Sequence, residues 1–156
     1  MHNDKILGWA DLYLSNITWP IRHDLLEEST LRIKALHYFE KAGDTEGQTE
    51  ASLELAMQYL DEGNFVEAFP YCEKCLLTSK KKGVHNLSYR DDCIQEALRN
   101  MSSLYEAAGD YKTAMEQLTE AQQYGKKYKL GWEMEDAIGE LFDKMGMHDS
   151  ANYYLK

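Results

Sequence analysis

Leu55-Ala56-Met57-Gln58-Tyr59-Leu60-Asp61-Glu62-Gly63-Asn64-Phe65-Val66-Glu67-Ala68 is a phrase that the chain uses three times. It aligns without gaps with Met101 to Ala114 and, more loosely, with Ile138 to Ala151. Each copy has a small residue (Ala56, Ser102, Gly139), an aromatic three positions on (Tyr59, Tyr105, Phe142) and a glycine four further (Gly63, Gly109, Gly146). A ring stands two residues past the glycine (Phe65, Tyr111, His148), and an alanine three past the ring (Ala68, Ala114, Ala151). The glycine suits the left-handed conformation that ends a helix, and Asn64 or Asp110 beside it suits the cap of the next one. Glu67 lies three residues beyond Asn64, the spacing of a capping box. The phrase predicts helix, turn, helix. The paired rings are expected to meet across each hairpin, and the alanines leave room for the two helices to approach closely.

These positions resemble the tetratricopeptide repeat over roughly residues 44–156. Successive glycines lie 46 and 37 residues apart, against about 34 in the standard repeat. The units are therefore elongated, similar to those of rapsyn, kinesin light chain and axonemal tetratricopeptide proteins. The resemblance implies an all-α fold, a right-handed α-solenoid of about four antiparallel helix hairpins forming one domain over 1–156. A degenerate N-terminal hairpin would occupy 1–43, full repeats 44–86 and 87–129, and a final repeat without a capping helix 130–156. Periodicity and caps predict helices near 4–15, 20–42, 45–62, 64–81, 87–108, 110–126, 130–145 and 148–156. Leu87, Ile94, Leu98, Met101 and Tyr105 form one continuous face of the fifth. In the N-terminal pair, Ala35, Phe39 and Ala42 look like a second repeat helix. Its partner around Trp9, Ala10 and Tyr13 lacks the glycine turn, a departure expected of a terminal cap.

Composition agrees with helix. Two prolines and ten glycines in 156 residues leave long stretches without a breaker. The balance of 27 acidic against 17 basic residues gives net −10 and an isoelectric point near 4.9. That is the wrong sign for a surface that neutralises phosphates, so nucleic acid is not an expected partner. No run approaches the length of a membrane span, and Met1-His2-Asn3-Asp4-Lys5 lacks a signal-peptide pattern, so a cytoplasmic protein without membrane contact is expected.

No phosphate-binding or nucleophile-elbow motif occurs, and the glycines stand singly at helix ends. The expectation is a protein that is not an enzyme, with no catalytic residue, metal or cofactor. Cys72 and Cys75 form a CxxC, yet both fall where a repeat helix buries small residues, and no second CxxC or histidine pair accompanies them. They read as packed thiols, with a redox or metal sensor as a third-ranked alternative. The histidines at 2, 23, 37, 85 and 148 have no ligand spacing. The basic runs Lys80-Lys81-Lys82 and Lys126-Lys127-Tyr128-Lys129 each end a repeat helix, where cations complement the dipole.

Carried over from the family, the groove positions are Glu50, Leu53, Met57 and Leu60, then Glu96, Arg99, Ser103 and Glu106, then Glu133, Asp136, Glu140 and Asp143. The lysines and asparagines with which some members clamp a chaperone's terminal carboxylate are replaced here by Leu53/Met57, Arg99/Ser103 and Asp136/Glu140. What the resemblance implies is a non-catalytic protein-interaction module whose groove, apolar at one end and acidic at the other, engages a protein or peptide with a basic segment. The alternative is an architectural subunit of a larger assembly, cytoskeletal or ciliary, that uses its ends or convex face. Tyr153, Tyr154 and Leu155 are expected to form an apolar end interface for self-association or hetero-assembly.

Overall fold

Four glycines set the corners of the chain. Gly43, Gly63, Gly109 and Gly146 have φ of 68°, 71°, 79° and 72°, a region closed to most side chains. At Gly63 the glycine N–H donates to the Leu60 carbonyl at 2.9 Å, and the Asn64 N–H to the Tyr59 carbonyl at 2.8 Å. The same pair of bonds recurs at the other three corners, so each helix end satisfies two of its orphan carbonyls in a Schellman turn.

The computed structural model describes residues 2–22, 25–81, 87–125 and 131–155, with side chains over 3–17, 26–81, 89–124 and 134–155. Among the described residues lie eight helices and no strand: α1 (His2–Arg22), α2 (Leu25–Ala42), α3 (Thr45–Asp61), α4 (Phe65–Ser79), α5 (Leu87–Ala107), α6 (Tyr111–Gly125), α7 (Gly131–Lys144) and α8 (His148–Tyr154). The fold is all-α and built of helix hairpins. Six helices match their expected limits within two residues. The exceptions are the first two, because α1 does not stop near residue 15 but runs on through Pro20 to Arg22. Nothing in Asn16-Ile17-Thr18-Trp19 breaks a helix, and a proline removes only one N–H. α4 likewise continues through Pro70, which lacks the N–H that would reach the Val66 carbonyl.

Met1–Cys93 and Ile94–Lys156 form two compact units. In the first, α1 packs on α2, α2 on α3 and α3 on α4. Its core is Leu12, Ala35, Leu36, Phe39, Ala51 and Leu55, with Trp9, Tyr59 and Tyr71 against it. Phe39 is wholly buried and lies between two glycines. A Cβ placed on Gly8 would stand 2.7 Å from its ring, and one on Gly47 only 2.3 Å. Trp9 meets the same ring edge-on, 5.0 Å between centroids. Thus α1, α2 and α3 close on one aromatic because two helices have no side chain there. The N-terminal pair keeps Trp9 partly buried, whereas Ala10 and Tyr13 face solvent. Among the described residues of α1, Gly8, Leu12 and Ser15 are the buried positions instead.

In the second unit α6 packs on α7 and α7 on α8. Among its described residues, Ile94, Ala97, Leu98, Met101, Leu104, Ala114, Leu118, Ala121, Met134, Ile138, Leu141 and Ala151 are buried and apolar. Ala68, Ala114 and Ala151 are buried as the phrase requires.

Two local expectations need correction. Asn64 occupies the cap position of α4 but its side chain makes no cap bond, so no capping box closes with Glu67. Asp110 does cap α6: its carboxylate accepts from the Thr113 N–H at 3.2 Å and the Thr113 hydroxyl at 2.7 Å. The rings that meet also differ. Tyr59 stacks on Tyr71 at 5.6 Å, and Phe142 on Tyr154 at 5.7 Å. Phe65 and His148 are exposed, because they stand in the first turn after the corner, before the second helix reaches its partner.

Candidate functional site

Helix periodicity decides which side chains are available to a partner. Along α3, Gly47, Ala51, Ser52, Leu55 and Ala56 turn inward, which leaves Met57 exposed and Glu50, Leu53 and Leu60 half-buried. Glu50 has Glu46 and Glu54 one turn to either side. Burial holds its carboxyl above the usual carboxylate range, and the charges of Glu54 and Glu46 add to the shift.

The groove positions of α5 are engaged with one another. The Arg99 guanidinium pairs with Glu96 at 2.6 Å, and the Ser103 hydroxyl donates to the Arg99 carbonyl at 3.4 Å. Glu106 pairs with Lys144 of α7, and this hydrogen bond is the main reason that the ammonium's pKa is raised. On α7, Asp136, Glu140 and Asp143 are exposed, and Asp143 meets His148 Nδ1 at 2.7 Å. The side chain of Glu133 lies outside the described residues, as do Lys82, the run 126–129, and the side chains of His2, His23 and His85. Lys80 and Lys81 are exposed at the end of α4.

A polar cluster in the first unit had no counterpart among the expected site residues. Arg32 of α2 is buried and reaches Glu28 and Glu54 at 2.6 Å each. It also donates to Gln58 at 2.9 Å and to Asn16 at 3.3 Å. Gln58 donates in turn to Glu62 at 2.9 Å. Burial raises the Glu28 carboxyl above its ordinary value; Arg32 opposes this, while Glu54 and Glu62 reinforce it. The i,i+4 pair Glu28/Arg32 was legible in the sequence as a helix-face ion pair. That α3 would cover it was not.

Beside this cluster, between α2 and α3, opens a cavity of about 510 Å³ whose walls include Glu28, Arg32, Glu54, Met57, Asp61 and Glu62. Of the expected groove residues whose side chains are described, only Met57 reaches it.

Cys72, Cys75 and Cys93 are buried thiols, and the Cys75 Sγ lies 3.9 Å from the Cys93 carbonyl. Among the described residues no group of three or more His, Cys, Asp or Glu is placed to hold a metal ion, and no helix is long and apolar enough to cross a membrane. At the far end of the second unit, Tyr153 is 76% and Leu155 48% exposed, while Tyr154 is held by its stack on Phe142. Leu155 rests over Gly139, whose missing Cβ would come within 2.6 Å of it.

The chain matches no protein-family model and no curated protein. Among solved structures it is similar to one described as the crystal structure of MamA protein, at 15% identity and a TM-score of 0.40 over 96% of this chain and 88% of that one.

Proposed function

We propose that the chain is a tetratricopeptide-type repeat protein that acts without catalysis, binding a segment of a partner protein along the first helix of each hairpin. One observation carries this reading: on α3, α5 and α7 the groove positions Met57, Ser103, Asp136, Glu140 and Asp143 face solvent while their neighbours Leu55, Ala56, Ala97, Leu98, Ile138 and Leu141 are buried. Core and solvent-facing positions thus alternate on the same helices. The carboxylates among them favour a basic segment, and Met57 with the half-buried Leu53 and Leu60 favours apolar side chains beside it. The test is a peptide array probed with the labelled chain. Peptides alternating basic and apolar residues should bind, and the doubly reversed Asp136→Lys/Glu140→Lys chain should bind them less. Equal binding of acidic and basic peptides would contradict the reading.

A second reading, an architectural subunit, is favoured by a different observation. Ile6, Tyr13 and Ile17 form an exposed apolar stripe on α1, and Tyr153 and Leu155 are exposed beyond α7. Sedimentation at several concentrations separates the two, since assembly through these surfaces makes the mass depend on concentration.

A further inference from the structure

Helix α1 turns an uncharged apolar face to solvent. Ile6, Tyr13 and Ile17 are 56%, 62% and 56% exposed, with Leu7 and Leu14 beside them at 38% and 46%, and Ala10 is exposed within the stripe. The charged side chains described on this helix are engaged with its neighbours instead: Asp4 pairs with Lys41, Lys5 with Asp44 and Asp11 with Lys34. The five large side chains together expose about 500 Å², a contiguous patch of the size that marks an interaction surface. Its central ring is already placed. Tyr13 lies 5.9 Å from the Trp9 ring, which itself meets the buried Phe39 at 5.0 Å, so docking against it loses little side-chain freedom.

The spacing of the stripe points to its occupant. Ile6, Ala10, Tyr13 and Ile17 step by 4, 3 and 4 residues, the seam along which two helices pack, and such a series reads the same from either end. We infer that α1 docks on α1 of a second copy of this chain, antiparallel about a two-fold axis passing between Ala10 and Tyr13, an inference that rests on the architectural reading above and names its partner. In that register Ile6 of one copy stands opposite Ile17 of the other, and Ala10 opposite Tyr13, so each ring fills the space that an alanine leaves. A parallel pair would set ring on ring and alanine on alanine, a crowded layer beside an empty one, and would also align the two helix dipoles unfavourably. Two copies bury about 1,000 Å² in total, the lower limit for a specific interface. The dimer is therefore a reversible one, formed at micromolar concentration or above. None of the groove positions on α3, α5 and α7 takes part in it.

The experiment is sedimentation equilibrium of the full chain from micromolar to near-millimolar concentration, where the mass should rise from one chain toward two. Tyr13→Lys should weaken self-association by at least about tenfold, and Ile6→Lys and Ile17→Glu should each do the same. Combined in one chain, Ile6→Lys and Ile17→Glu should associate about tenfold more tightly than either alone, because the antiparallel register sets each new ammonium against the new carboxylate of the other copy. The two positions lie about 16 Å apart along one helix, too far to pair within a chain. That rescue, with unchanged circular dichroism, also separates a lost contact from a misfolded variant. If the chain self-associates but Tyr13→Lys leaves the affinity unchanged, or the combined variant associates no better than the single ones, the α1 pairing is overturned while the architectural reading stands on Tyr153 and Leu155. A single chain at every concentration overturns both.

Discussion

Replacing Gly47 by alanine tests the packing that joins α1, α2 and α3. In a helix, Gly→Ala normally stabilises by up to about 1 kcal/mol, so propensity alone predicts a gain. The geometry predicts a loss. The new methyl would stand 2.3 to 2.5 Å from three carbons of the Phe39 ring, and that ring is wholly buried. It cannot retreat toward α1, where Gly8 and Trp9 already hold its other side. Overpacking of this kind costs about 1–3 kcal/mol, which against a propensity gain of about 1 kcal/mol centres on a net destabilisation of about 1 kcal/mol, with an upper bound of about 2 kcal/mol or a fall in melting temperature of up to about 8 °C for a chain of this size. Urea and thermal denaturation followed by circular dichroism measure it. Phe39→Leu in the same chain should recover part of the loss, with a coupling of about 0.5–3 kcal/mol. By contrast, Gly63→Ala, at φ 71° with open space around it, should cost about 1–2 kcal/mol of left-handed strain that Phe39→Leu does not relieve. A Gly47→Ala chain as stable as the parent, or additive losses in the double variant, would refute the three-helix contact.

Ala114→Leu should destabilise by about 1–3 kcal/mol through overpacking, since Ala114 is wholly buried; an unchanged urea midpoint would place it outside the core. Arg32→Met should cost about 3–5 kcal/mol, because it leaves Glu28 and Glu54 without their shared cation, and thermal melts would detect it. Glu50→Gln should stabilise at neutral pH by about 0.5 kcal/mol, by removing a carboxylate whose charge is disfavoured first by burial and then by Glu54 and Glu46. Because the folded carboxyl binds its proton more tightly than the unfolded one, this gain is largest above the folded pKa and vanishes below the ordinary value of 4.5, which melts at pH 7 and pH 4 compare. Asp110→Ala should lower the melting temperature, because it removes two bonds from Thr113, whereas Asn64→Ala should hardly change it. The Asp110 carboxyl is held below its ordinary 3.8 by the same bonds, so its contribution is present above that value and is lost as pH falls through the folded pKa.

The corners were legible because glycine is the residue that a left-handed turn demands, and Gly63, Gly109 and Gly146 stood at matched positions. Gly43 fits the same scheme, with Phe39 four residues before it, at the break expected between the helices 20–42 and 45–62. It joins α2 to α3, between hairpins rather than within one, so its surrounding sequence differs from the phrase. Local propensity alone does not give the extent of α1, because Pro20 resembles a helix start. Which ring stacks on Tyr59 depends on where two helices converge, and spacing along one helix does not contain that information. For the same reason the solvent-facing carboxylates of α7 followed from periodicity, whereas the Glu28–Arg32–Glu54 cluster required knowing that α3 covers α2.

In the proposed function, acidic faces of the hairpins hold a basic segment of a partner. Its most direct measurement is the affinity of a fluorescent peptide alternating arginine and leucine, read by anisotropy as salt rises past the physiological level, where charges are screened over about 8 Å. Binding should be saturable, should weaken steadily with salt, and should be absent for the same peptide carrying glutamate. An affinity independent of salt, or equal binding of the glutamate peptide, would contradict it.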